Sequence, residues 1–173
     1  MQEVDVVEYK IIVDHGQRGK LGVCALDGVS GHEAGRKLLT ALYRLQTGEE
    51  LPPILVMPRG KPCFAEGGWH FSISHTRHYA FCALSRDNVG IDAEELDRNI
   101  KLTLAEKVLS PGELEQFRTA ENPQRALLTF WVLKEAQAKF TGEGLRGYPN
   151  HTEFSLEDPR VMEIEGCLLA VVE

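Results

Sequence analysis

Residues 87–95 read DNVGIDAEE, and how this stretch folds decides where the chain divides. A strand sends successive side chains to opposite faces, so Asp92 and Glu94 project together while Ile91 and Ala93 point the other way. Like charges side by side repel, so such a pair is either well solvated or holding a cation. Glu95 falls on the wrong face to join them. Gly90, just ahead, admits a close approach by another strand or a ligand. The plainer alternative is a charged strand end running into a loop.

Upstream, FSIS at 71–74 and YAFCAL at 79–84 read as paired strands around SHTRH, with Arg86-Asp87-Asn88 a tight turn into GIDAE. ILVM at 54–57 is a short strand, followed by the turn PRGKP. Ala34, Leu38, Ala41, Leu42 and Leu45 fall at three- and four-residue spacings and predict a helix. Thr47-Gly48 ends it, and Pro52-Pro53 forbids continuation. Before it, β-branched Val4 to Val13 and GVCAL at 22–26, joined by DHGQRGK, suggest a hairpin.

Downstream, helices are expected near 103–109 and 111–119, the second announced by Ser110-Pro111-Gly112-Glu113: a cap, an N1 proline and an acidic N3. The strongest helical segment is PQRALLTFWVLKEAQAKF at 123–140, stopped by Gly142 and Gly144. The tail alternates loosely, with strands near 152–157, 160–165 and 167–172. This order (strand, helix, strands, then helices, strands) predicts an α+β protein of two similar halves, 1–88 and 89–173. No internal sequence repeat marks them.

A chain of 173 residues suffices for one domain or two tightly packed small ones. A hydrophobic share of 43% beside a charged share of 26% is that of an ordinary globular protein. The net charge is −7, and positions 87–121 carry nine acidic residues against four basic ones, which argues against a nucleic-acid partner. Cys24, Cys63, Cys82 and Cys167 are far apart, with no C-x-x-C; Cys24 and Cys82 sit in apolar runs and read as buried thiols. No signal pattern opens the sequence and no run reaches the length of a membrane span, so the expected location is the cytoplasm, without membrane attachment.

On the helix at 123–140, Trp131, Glu135 and Lys139 recur every four residues and share a face, with Lys134 beside it. An i,i+4 Glu–Lys pair is usually surface decoration; an aromatic on the same stripe says this one is partly packed. If Glu135 faces Asp92 and Glu94, three carboxylates converge. An oxygen-only donor set suits Mg²⁺ bound together with substrate phosphates. The chemistry implied is phosphoryl or nucleotidyl-type transfer, with anion contacts from Lys61 in its GKP turn, His75 with Ser74 in SISHT, and Arg36 with Lys37.

The order of these pieces is GRKLL, GKP, FSISHT, VGIDAE, then FWVLKEAQAK with GEGL after it. In this the chain resembles the 4'-phosphopantetheinyl transferases, particularly the larger surfactin-synthetase-activating type. The resemblance runs from Gly60 to Leu145 and extends to Arg36. It implies a pseudo-twofold fold of two halves with the active site in the cleft between them, and a monomer in solution. It implies transfer of the phosphopantetheine arm of coenzyme A to a serine of an acyl, peptidyl or aryl carrier protein, releasing 3',5'-adenosine bisphosphate. By the same resemblance Asp92, Glu94 and Glu135 bind Mg²⁺ with the coenzyme A pyrophosphate. Glu135 doubles as the base for the serine, and Lys139 neutralises the leaving phosphate. Ser74 and His75 stand near the 3'-phosphate, and Arg36 and Lys61 hold nucleotide phosphates.

Two departures stand out. Where the family often has asparagine in its F-N-x-S-H-S stretch, Ser72 stands here, and Thr76 replaces the last serine. The part before Arg36 is short, leaving Arg18 and Lys20 as the upstream basic candidates for the adenine and 3'-phosphate end. The rival readings are another Mg²⁺-dependent phosphate-transfer enzyme or hydrolase on the same carboxylates, and an inactive coenzyme A-binding relative.

Overall fold

Tyr9–Asp14 (β1) and Gly19–Ala25 (β2) pair antiparallel across a short 3-10 turn at Gly16–Arg18, with the register slipping between Ile11 and Val13. The computed structural model describes residues 7–66, 68–144 and 152–173, so Val4–Val6 of the expected first strand and Leu145 of GEGL lie outside it. The chain then forms a long helix, Gly31–Thr47 (α1), capped at its start by Ser30, whose hydroxyl accepts from the Glu33 N–H at 3.1 Å. Gly48 ends it in the left-handed region, φ 76°, where glycine carries no Cβ penalty.

Two three-residue strands, Ile54–Val56 (β3) and Pro62–Phe64 (β4), pair around the PRGK turn. His70–His75 (β5) and Tyr79–Ser85 (β6) complete a four-stranded antiparallel sheet in the order β1-β2-β6-β5. The apolar stripe of α1 (Ala34, Leu38, Leu39 and Leu42, all fully buried) packs on Cys24, Phe71, Ala80, Cys82 and Leu84. Burial pushes the Cys24 and Cys82 thiols up, so neither is a ready nucleophile.

The second unit begins at Gly90–Glu95 (β7). A 3-10 turn at Leu102–Leu104 leads into Ala105–Val108 (α2), then Pro111–Thr119 (α3) and Pro123–Thr141 (α4). The Ser110–Glu113 capping box forms with both reciprocal bonds, at 2.8 and 3.2 Å. Val161–Ile164 (β8) and Cys167–Val172 (β9) finish a three-stranded antiparallel sheet in the order β7-β9-β8. α4 is apolar around most of its circumference because it is the centre of this unit, packed among Ile100, Leu109, Phe154, Leu168, Ala170 and Val172.

The architecture is therefore mixed α and β, and the described chain separates into two compact units. One runs to Met57 and resumes over Pro62–Val89; the other takes Pro58–Lys61 and Gly90–Glu173. No described helix is long and apolar enough to cross a membrane.

The expected strand at 152–157 does not form. The side chains of α3 take its backbone groups instead: Phe154 N–H donates to Glu113 Oε1 at 2.8 Å, Leu156 N–H to Gln116 Oε1 at 3.1 Å, and Gln116 Nε2 donates to the Phe154 carbonyl at 3.3 Å. β4 lies where a turn continuing through Pro62 was expected, since three residues are too few to show alternation.

Candidate active site

Gly90 sets the geometry. A Cβ built there would lie 2.2 Å from the Ala136 carbonyl oxygen and 2.4 Å from the Phe140 nitrogen. Only glycine lets α4 lie this close to β7. The register of the sheet places Gly90, Asp92 and Glu94 opposite Val172, Ala170 and Leu168, on the face that α4 covers. β7 is an edge strand, so these carboxylates stand at the rim of the packed face.

α4 answers with its Trp131–Glu135–Lys139 stripe. Lys139 Nζ donates to Asp92 Oδ1 at 2.8 Å, and the other oxygen of Asp92 is fully buried. The Trp131 indole N–H donates to the Glu94 carboxylate, and Arg98 forms an ion pair with the same group. Burial raises the Glu94 pKa, and the Asp92 carboxylate adds to the shift. Glu135, on the stripe between Trp131 and Lys139, feels the same forces more strongly. Burial first, then Asp92, and to a lesser degree Glu94, push it up to about 7, while Lys139 and Arg98 pull the other way.

The three carboxylates thus interact, as mutual repulsion in a half-buried setting requires. Among the described residues no three His, Cys, Asp or Glu side chains stand in a ready-made metal cage. Two of the three carboxylates are held by protein cations: Lys139 pairs with Asp92 and Arg98 with Glu94. The donor set itself, all oxygen with no thiolate or imidazole, fits a hard cation that keeps part of its water shell. Asp92, Glu94 and Glu135 are the residues that would hold it.

Lys61 is drawn to the end of the same helix. Its Nζ donates to the Phe140 carbonyl at 2.9 Å and lies 5.9 Å from the Phe140 ring centroid, a cation at a helix C-terminus. Lys134, adjacent to Glu135 in sequence, turns inward. It pairs with Glu113 at 2.8 Å, both side chains buried, and donates to the Thr152 carbonyl at 2.9 Å. It is a structural strut.

The other expected anion-binding residues belong to the first unit. His75 packs against the start of α1, where a Cβ on Gly31 would lie 2.3 Å from its ring, and its ring centroid is 5.5 Å from that of His32. Ile73 also faces α1, meeting Gly35. Ser72 and Ser74, one residue out of phase, are buried on the opposite face of β5. Ser74 and His75 therefore point apart. Arg36 lies exposed in the second turn of α1, five residues after the helix begins at Gly31. Sequence reasoning missed Gly31, although Ser30-x-x-Glu33 marks the helix start, and it missed Arg98, whose signal was a base four residues beyond Glu94.

Residues 88–169, which hold the whole carboxylate cluster, match the model of the 4'-phosphopantetheinyl transferase superfamily. Through this segment the chain is similar to that superfamily. It is 38% identical over 95 residues to the 4'-phosphopantetheinyl transferase HetI of a Nostoc species, covering 50% of this chain and 40% of that protein. It is 34% identical over 89 residues to the 4'-phosphopantetheinyl transferase psf-1 of Bacillus pumilus, covering 50% of this chain and 38% of that protein. To the 4'-phosphopantetheinyl transferase ffp of Bacillus subtilis it is 32% identical over 89 residues, 50% of this chain and 39% of the relative. The matched part spans well under half of each relative.

The superfamily match divides the candidate residues. Asp92, Glu94, Arg98, Trp131, Lys134, Glu135 and Lys139 lie inside it; Arg36, Lys61, Ser74 and His75 lie outside.

Proposed function

We propose that this chain transfers the 4'-phosphopantetheine group from coenzyme A to a serine of an apo carrier protein, with Mg²⁺. The observation that carries the reading is the meeting of Asp92, Glu94 and Glu135 with Lys139 inside the segment shared with the transferases. The two units are, on this reading, the similar halves of the family's two-half form, and the protein acts as a monomer. A net charge of −7 argues against a nucleic-acid partner.

Asp92, Glu94 and Glu135 would hold a divalent cation together with the pyrophosphate. When bound, Mg²⁺ absorbs charge that develops on the phosphate oxygens. Without a cation, burial and then Asp92 push the Glu135 pKa up to about 7; a bound cation would draw it down and leave the carboxylate ionised to accept a proton. It takes the proton of the carrier serine as the serine oxygen bonds to the phosphorus bearing the pantetheine arm. The bond to the bridging oxygen breaks, and its electron pair leaves with 3',5'-adenosine bisphosphate. Lys139, on the same helix face one turn away, stands to offset the charge on that leaving phosphate. Arg36, Lys61, Ser74 and His75 are proposed for the nucleotide phosphates. The separate faces of Ser74 and His75 mean that they would meet different groups.

The test is mass spectrometry of apo acyl, peptidyl and aryl carrier proteins incubated with the protein, coenzyme A and Mg²⁺. A metal-dependent gain of one phosphopantetheine group, lost with Glu135→Ala or Asp92→Ala, is the expected result. No gain on any carrier by a folded protein that binds coenzyme A overturns the reading.

A further inference from the structure

We propose that Arg98 is a positioning residue that holds Glu94 and competes with a divalent cation for it, an inference that rests on the metal-site reading above. The local backbone makes this possible. The Arg98 N–H donates to the Glu95 carbonyl at 3.0 Å, a turn that folds the end of β7 back on itself and returns the side chain to Glu94. There the guanidinium pairs with Glu94 Oε1 while its central carbon lies 5.6 Å from the Trp131 ring centroid. Trp131 in turn donates its indole N–H to Glu94. The three side chains close a triangle in which each fixes the other two.

Arg98 also acts on Glu135, whose carboxylate it stabilises. It therefore pairs with Glu94 and lies within electrostatic reach of Glu135, while Lys139 pairs with Asp92. Between them these two protein cations offset the repulsion that a divalent ion would otherwise relieve. Arg98 is the more readily displaced of the pair's components, because its side chain is 39% exposed whereas that of Glu94 is 20% exposed. A guanidinium at the rim returns to water at little desolvation cost. The indole keeps a surface for it to rest on as it leaves. A cation that ligates Glu94 Oε1 takes the place of Arg98 Nη1, so the protein binds metal less tightly than its carboxylates alone would allow. In exchange Glu94 keeps its orientation between turnovers.

The experiment measures Mn²⁺ binding by electron paramagnetic resonance of the free ion, in the full chain carrying Arg98, Arg98→Gln or Arg98→Lys. A parallel Mg²⁺ titration follows tryptophan emission in a Trp69→Phe background, where Trp131 alone reports. Arg98→Gln is expected to bind Mn²⁺ about three- to tenfold more tightly, with Arg98→Lys between it and the parent. Mg²⁺ is expected to change Trp131 emission with Arg98 present and to leave it nearly unchanged with Arg98→Gln. Binding by Arg98→Gln equal to or weaker than the parent's overturns the competition and leaves the metal site standing. Absence of Mn²⁺ binding by every form removes the metal site and this proposal with it. Should Arg98→Gln fail to fold, Arg98→Lys decides: affinity no tighter than the parent's, with an unaltered emission change, overturns the proposal.

Discussion

Lys139 in the last turn of α4 donates from Nζ to Asp92 Oδ1 on β7, 2.8 Å apart and 47 residues apart in sequence. This pair ties the helix to the edge strand and keeps a positive charge among three acids. Under the proposed function, Lys139→Met should therefore cost about 10²–10³-fold in transfer rate, the usual consequence of losing a charge aimed at developing negative charge. Single-turnover labelling of a carrier protein measures it. A loss below about threefold would show that Lys139 only holds the fold together.

Glu135 gives the protein a pH signature. Its pKa is raised from 4.5 to about 7 by burial and by Asp92, opposed by Lys139 and Arg98. The folded protein holds this proton more tightly than the unfolded chain does. Its favourable contribution is present below about pH 4.5 and is lost as pH rises through about 7. Glu135→Gln should accordingly be more stable than the parent at pH 8, by about 1 kcal/mol after solvent screening, while the two converge near pH 4. Thermal melts across this range, without added metal, give the answer; a variant less stable at pH 8 contradicts it.

Breaking the Lys134–Glu113 pair should be expensive. Both side chains are buried, and Glu113 also caps α3 and receives the Phe154 N–H. Lys134→Met strands a buried carboxylate, with an expected cost of ~3–5 kcal/mol. Denaturant unfolding of the single variant and of Lys134→Met with Glu113→Gln should show the double variant recovering part of the loss. Equal losses in both would mean that packing, and not charge, sets the cost.

Gly90→Ala should push α4 off β7. The new methyl would meet backbone, which cannot rotate away, so the cost is at least the ~1–3 kcal/mol of ordinary overpacking. Separation of the carboxylates should also bring the Glu135 pKa back toward its usual range. Titration of Glu135 by NMR and a denaturation curve check the two parts separately.

Much of the secondary structure was legible because its signals are local. The Ser110–Glu113 box, the Pro123 start and Gly142 stop of α4, and the alternation in β5 each depend on neighbours within four residues. The stretch 152–157 misled because its competitors, Glu113 and Gln116, are some 40 residues away. Lys134 and Lys139 look alike in sequence, yet one is a buried strut and the other reaches the carboxylates. Arg98 escaped notice for a related reason: a base four residues past an acid is common, and only the Trp131 ring gives this one its place.

The sequence by itself determined two faces. A period of two puts Asp92 and Glu94 on one side of a strand, and a period near 3.6 puts Trp131, Glu135 and Lys139 on one side of a helix. Whether those faces meet is outside the reach of any local period. The tertiary structure decided it through Gly90, whose missing side chain lets α4 settle against β7 and brings distant charges close enough to shift one another. Coulomb interaction in a half-buried site depends on distance through space, and packing alone sets that distance.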